Sequence, residues 1–168
     1  DPTNISYLIE RGFNHLKEID LAPCDLDGIF SSNVLEHIKD DVLVLKKMRD
    51  HLKDKGLIYL YLPAQMILWT QLDDNVGHYR RYEIAELRKK CKEIGLTICK
   101  IQYADCLGWF TTLLFKLVNK RSGKSLPSKS LLIFYDKYIF PLSNFLDKLG
   151  FKYLFGKNII LIAEKPQS

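Results

Sequence analysis

"DLDGIFSSNVLEHIKDD", residues 25–41, decides how the chain is read. Leu26 to Phe30 form a short run, apolar in its middle, that reads as a buried strand. The run ends in the small polar residues Ser31 and Ser32, and the pair Glu36–His37 stands where the chain turns into a helix. That helix is expected over residues 39–56: Val42, Leu45, Met48 and Leu52 fall on one face, acids lead, lysines trail, and Gly56 serves as the stop. A strand, a polar corner and an amphipathic helix make a unit of an α/β sheet. In such sheets ligands bind at the carboxyl ends of the strands, which is where residues 31–37 lie.

Working outward, residues 57–63 read as a strand closed by Pro63, residues 83–95 as a helix ending at Gly95, and residues 96–104 as a strand. Residues 105–120 carry a helical apolar face. Residues 121–130 form a linker, and residues 131–150 read as helical with a break at Pro141. Residues 157–165 make a last strand. Before the opening stretch, Ile5, Leu8 and Ile9 recur at helical spacing up to Gly12, and residues 13–21 suit a short strand. The alternation predicts one α/β domain over 1–168, with helices on the sheet faces and a helical insertion or lid over 104–156.

The 168 residues suffice for one core, and 47% hydrophobic with 27% charged residues is an ordinary balance. No apolar run reaches the length that crosses a bilayer. The four cysteines, Cys24, Cys91, Cys99 and Cys106, show neither CxxC nor zinc spacing and read as reduced thiols of a cytoplasmic protein. Residues 103–168 hold 10 of the 25 basic side chains, only 4 of the 20 acidic ones, and 12 of the 20 aromatics. Such a segment either meets an anionic surface, with a membrane favoured over nucleic acid, or packs its aromatics in the core beneath a solvated lysine face.

The run "LDGIFSSNVLEHIKDDVLVLKKMRDHLKDKGLIYLYLPA", residues 26–64, resembles the fourth strand, following helix and fifth strand of class I S-adenosylmethionine-dependent methyltransferases. The stretch from Leu68 to Leu96, with "GHYRRY" at residues 77–82, resembles a bacterial subgroup of that family. Residues 155–165 resemble its antiparallel last strand. The resemblance implies a Rossmann-like, mostly parallel sheet of strand order 3-2-1-4-5-7-6. It departs in "LKDKG" for the usual "LKPGG" and in the missing glycine-rich cofactor loop. Glu83 also stands where the subgroup carries Ser or Thr, a lost helix cap worth about 1 kcal/mol. The opening "DP" resembles the end of the second strand, so the domain is expected to be partial, lacking strands 1 and 2, and to bind cofactor weakly by itself.

By the same resemblance Asp1 would hold the ribose of S-adenosylmethionine, Asp20 and Leu21 would border the adenine, and Ser32, Asn33 and Val34 would line the cofactor's middle. As turn residues, Asp20, Ser32 and Asn33 serve equally well. His37 and His78 are candidate general bases, since imidazole titrates near neutrality, with Glu36 fixing a tautomer or facing the helix dipole. Trp69, His78, Arg80, Arg81 and Tyr82 would hold the acceptor, or else make an ion-paired helix entry; Asp73 and Asp74 read as solvated turn acids. Relatives with Glu-x-x-Glu-His at this corner bind a divalent metal. Asn33 replaces the first acid here, so no metal is expected. The implied function is methyl transfer to a small molecule or a lipid- or glycan-linked acceptor. The alternative is a non-catalytic remnant that binds no cofactor alone.

Overall fold

The computed structural model describes residues 26–122 and 128–167. The expected helix over 1–12, the strand over 13–21, Cys24, part of the linker, and the cofactor residues Asp1, Asp20 and Leu21 lie outside the described residues. Strands β1 (Leu26–Ser32), β2 (Leu52–Pro63), β3 (Thr97–Ala104) and β4 (Asn158–Glu164) form one sheet in the order β1-β2-β4-β3. That order reads as 4-5-7-6 of the methyltransferase numbering. The expectation of a mostly parallel sheet is corrected. β1 and β2 pair in parallel, but β4 inserts between β2 and β3 and runs against both, so two of the three pairings are antiparallel.

Alternation sets the buried face. Ile58, Leu60 and Leu62 of β2 and Ile159, Leu161 and Ala163 of β4 point into one core. Leu45 of α1 (Asp41–His51) joins that core, as do Leu87 and Cys91 of α3 (Ile84–Glu93); α2 (Gln71–Asn75) lies between them in the chain. Asp40 caps α1 by accepting from the Leu43 amide at 3.1 Å. Glu83 makes no side-chain cap on α3, which ends at Gly95 with φ +75°.

Two boundaries differ from the expectation. Glu36 and His37 do not begin α1; they form a separate 3-10 turn, Leu35–His37. α1 also stops at His51, and "LKDKG" belongs to β2, where Lys55 takes φ +63°. Gly56 is therefore buried in a strand rather than capping a helix, because a Cβ there would lie 2.8 Å from the Lys53 carbonyl oxygen and 3.1 Å from that of Leu26.

Between β3 and β4 stand α4 (Cys106–Ser122), α5 (Lys129–Phe134), a π turn (Tyr135–Ile139), α6 (Phe140–Lys148) and a 3-10 turn (Phe151–Tyr153). The π turn precedes Pro141, which removes an amide from the ladder as the sequence suggests. α4 and α6 are tied through buried polar groups. The Leu107 amide donates to Ser143 Oγ at 2.9 Å, and the Asp105 amide to Asp147 Oδ2 at 2.7 Å. No helix among the described residues is long and apolar enough to cross a membrane. Cys91, Cys99 and Cys106 are free thiols.

Asp105 begins α4 by accepting from the Gly108 amide at 3.0 Å, and its other oxygen accepts from the Tyr135 hydroxyl. A Cβ on Gly108 would lie 2.1 Å from Asp105 Oδ2 and 2.5 Å from the Tyr135 hydroxyl. Gly108→Ala is therefore expected to cost about 1–3 kcal/mol, as overpacking does. A urea midpoint equal to that of the wild type would show that this junction gives way freely.

Candidate functional site

The site grows from the carboxyl ends of β1 and β2. Asn33 takes φ +50°, a conformation asparagine tolerates, and its amide donates to the Tyr61 carbonyl at 2.9 Å. This reversal sends Glu36 inward. Glu36 is fully buried, and among the described residues neither carboxyl oxygen has a hydrogen-bond partner. Burial pushes its pKa up, against the opposing pull of its own backbone amide, His78 and Arg81. His37 lies beside it. Its pKa is lowered by burial and by His78, while the carbonyls of Val76 and Gly77 oppose.

The second half of the site comes from residues 70–82. Their backbone is pinned to the sheet. The Tyr82 amide donates to the Pro63 carbonyl at 2.8 Å, and the Tyr79 amide donates to the Glu36 carbonyl at 2.7 Å. At the centre of this loop is Asp73, only 1% exposed. It accepts from Arg81 Nε at 2.9 Å and Nη2 at 3.0 Å, from the Thr70 amide at 2.8 Å, and pairs with His78 Nδ1 at 2.8 Å. Burial would raise its pKa, but Arg81, Thr70 and His78 outweigh that and hold it below the usual carboxylate range. Asp73 is thus the residue that sequence reading took for a solvated acid. Its signal was present: Thr70 and Asp73 stand at capping-box spacing.

His78 is the meeting point of the two halves. Its Nε2 lies 3.9 Å from Glu36 Oε1, and its ring meets His37 edge-on with centroids 4.6 Å apart. One ligand atom from each of Glu36, His37 and His78 falls within 4.8 Å of the others. Trp69 stands nearby, 6.4 Å from the His78 ring, with its indole N–H donating to Asp74 at 3.0 Å. Arg81 belongs to this cluster through Asp73, and its Nη1 also donates to the Ala64 carbonyl at 3.3 Å.

Arg80 and Tyr82 are drawn elsewhere. Arg80 pairs with Asp41 at 2.7 Å and donates to the Lys39 carbonyl. The buried Tyr82 hydroxyl donates to Asp41 at 2.8 Å, and Lys90 reaches the same carboxylate at 2.6 Å. Burial would raise the Asp41 pKa, yet Lys90, Tyr82 and Arg80 together lower it. This is the ion-paired helix entry that the sequence also allowed.

A polar chamber of about 370 Å³ opens beside His78, lined by Asn33, Tyr61, Asp105, Lys157 and Asn158 among others. Asp105, Tyr135 and Lys157, absent from the sequence-based site, come from the 104–156 segment and its junction with β4. Burial and Asp105 push the Tyr61 hydroxyl up to about 12.

No protein-family model matches the chain, and no curated protein does. Solved structures do. One is the complex between the Haloferax volcanii Trm112 methyltransferase activator and a candidate methyltransferase, with TM-score 0.53, 12% identity, and 90% of this chain covered against 58% of that one. A candidate methyltransferase of Bacillus halodurans has TM-score 0.53 and 14% identity, with 89% and 74% covered. An S-adenosylmethionine-dependent methyltransferase of Mesorhizobium loti has TM-score 0.51 and 10% identity, with 88% and 65% covered. The chain shares its α/β fold with these solved methyltransferase structures. At these identities the likeness speaks for the fold alone, and the chain spans 58%, 74% and 65% of the three lengths.

The strand ends present polar groups. Asn33 lines the chamber, and the buried Ser31 hydroxyl has no hydrogen-bond partner among the described residues. Ser32 and Val34 are exposed at the same end.

Proposed function

We propose that the protein transfers a methyl group from S-adenosylmethionine to a hydroxyl or amine of a small-molecule, lipid-linked or glycan-linked acceptor, with His78 taking the acceptor's proton. The observation that carries this reading is His78 on the chamber wall, held from behind by the ionised, buried Asp73 at 2.8 Å. An ionised carboxylate accepts, so Nδ1 carries the hydrogen and Nε2 is left as the basic nitrogen. Nε2 lies 3.9 Å from Glu36 Oε1, beyond hydrogen-bond reach, and burial pushes the Glu36 pKa up. His37, its pKa lowered, stays neutral at pH 7 and braces the His78 ring from its edge.

S-adenosylmethionine, when bound, supplies a methyl carbon activated by a sulfonium leaving group. The chain's own share is alignment and a destination for the proton. In this reading Ser32, Asn33 and Val34 line the cofactor's middle, with Asp1, Asp20 and Leu21 at its ribose and adenine. Trp69 and Arg81 stand on the acceptor side. The protein works in the cytoplasm, with the basic, aromatic 104–156 segment as a lid that touches a membrane.

Calorimetric titration of the full-length protein with S-adenosylmethionine tests the reading: saturable binding is expected, weakened by Asn33→Ala. Absence of binding up to millimolar cofactor would favour the non-catalytic alternative.

A second reading has one observation in its favour. The 4.8 Å grouping of Glu36, His37 and His78 is a two-histidine, one-carboxylate set that could hold a divalent cation. We favour the metal-free site, because Asn33 stands in place of a second acid and two imidazoles with one carboxylate make a poor magnesium site.

A further inference from the structure

A second chamber, of about 270 Å³, adjoins the polar one. Phe115 of α4 and Leu131, Leu132, Phe134 and Ile139 of α5 and the π turn give it apolar walls. The two chambers have three lining residues in common: Arg81, Tyr135 and Lys157. Tyr135 is fixed there by its hydroxyl bond to Asp105, and Arg81 by Asp73. The Lys157 ammonium lies over the Tyr135 ring, 5.5 Å from its centroid, and takes part in no ion pair among the described residues. Two carboxylates line the polar chamber. Asp105 has both oxygens engaged, by Gly108 and Tyr135, and Asp136 is exposed.

α5 supplies an independent observation. Its sequence ends in Leu131-Leu132-Ile133-Phe134, four large apolar side chains that are 50–56% exposed, and the helix buries no residue. A helix of this composition ordinarily packs an apolar stripe against a partner. Leu131, Leu132 and Phe134 of this helix all line the apolar chamber, so a ligand seated there would cover them.

We propose that the two chambers form one site for a single-tailed amphiphile, with the apolar tail between α4 and α5, an acidic group at Lys157, and the hydroxyl- or amine-bearing head beside His78. This deepens the methyl-transfer reading by naming its acceptor class, and it rests on that reading only for the role of the head. The residues sort the ligand by polarity along its length. Away from Arg81 and Lys157 the apolar chamber offers a charged group no partner, and the polar chamber gains nothing from a hydrocarbon chain. The π turn places Tyr135 at the boundary between the two, one side chain lining both.

The test uses the full-length protein and defined probes, each kept below its micelle concentration. Dodecyl phosphate is expected to bind at least about tenfold more tightly than hexyl phosphate, well within what six buried methylenes provide. It should also bind more tightly than dodecyltrimethylammonium. Thr112→Phe, which fills the apolar chamber from α4, should erase the chain-length preference while the melting temperature stays near that of the wild type. Lys157→Gln should erase the preference for phosphate over ammonium. Equal binding of the two phosphates by the wild-type protein would overturn the proposal without any variant, and so would a chain-length preference that survives Thr112→Phe. Titration with S-adenosylmethionine on the same sample keeps the two readings apart. Amphiphile bound with no cofactor bound would sink methyl transfer alone, and cofactor bound with no chain-length preference would sink this proposal alone.

Discussion

Asp73→Asn is expected to cost about 3–5 kcal/mol of folding stability, the range seen when one partner of a buried ion pair is removed. Folded domains hold only about 5–15 kcal/mol in total, so the variant should sit near the edge of unfolding. The reason is Arg81, which is 7% exposed and directs two donors at Asp73. Asparagine keeps one acceptor oxygen but removes the charge, and the guanidinium stays buried without its counterion. Urea denaturation followed by circular dichroism measures the loss. A companion variant, Asp73→Leu with Arg81→Met, should recover part of it, because it removes both charges instead of stranding one. A single variant as stable as the wild type would mean that the pair contributes nothing net.

The pH dependence has a definite sign. Asp73 has a folded pKa below its unfolded value of about 3.9. Its contribution is therefore complete above that unfolded value and is lost as pH falls through the lower, folded one. Wild-type stability should drop steeply below about pH 4, and the drop should be shallower in Asp73→Asn. Asp41, shifted in the same direction by Lys90, Tyr82 and Arg80, remains in both proteins and accounts for the acid sensitivity that persists.

His78→Ala is expected to lower turnover by about 10²–10⁴-fold, the range for loss of a positioned general base, while S-adenosylmethionine affinity changes little. Release of S-adenosylhomocysteine, with a cell extract as the source of acceptor until one is in hand, measures the first; calorimetry measures the second. His37→Ala should cost less, since His37 touches the His78 ring rather than lining the chamber. Turnover that disappears with chelator and returns with a divalent cation would overturn the metal-free site and assign both histidines and Glu36 to the ion. If neither histidine variant slows turnover, the corner is structural.

Local pattern alone determined much of this protein. Apolar residues recur every three to four positions in α1, α3 and α4, a period that follows from backbone geometry, and β4 carries the unbroken apolar run Ile159 to Ala163, as a strand in the middle of a sheet does. The motif stretch likewise placed Glu36, His37 and His78 among the candidates before any coordinates, and the structure brings all three together. The resemblance also implies an antiparallel last strand between its two neighbours, and β4 stands so, although the sheet is not mostly parallel. Local pattern alone did not determine that place, because β4 reaches the middle of the sheet only after the whole 104–156 segment has been laid down. Nor did it decide which charges are buried. Asp73 and Asp74 are neighbours of the same type, yet one is sealed under Arg81 and the other exposed; Asp41 finds its cations 39 and 49 residues away, at Arg80 and Lys90. A carboxylate stays charged out of water only where folding delivers a counterion and hydrogen-bond donors to it, as at Asp73 and Asp41; Glu36, buried without such donors, has its pKa pushed up instead, and only the tertiary structure specifies which case applies.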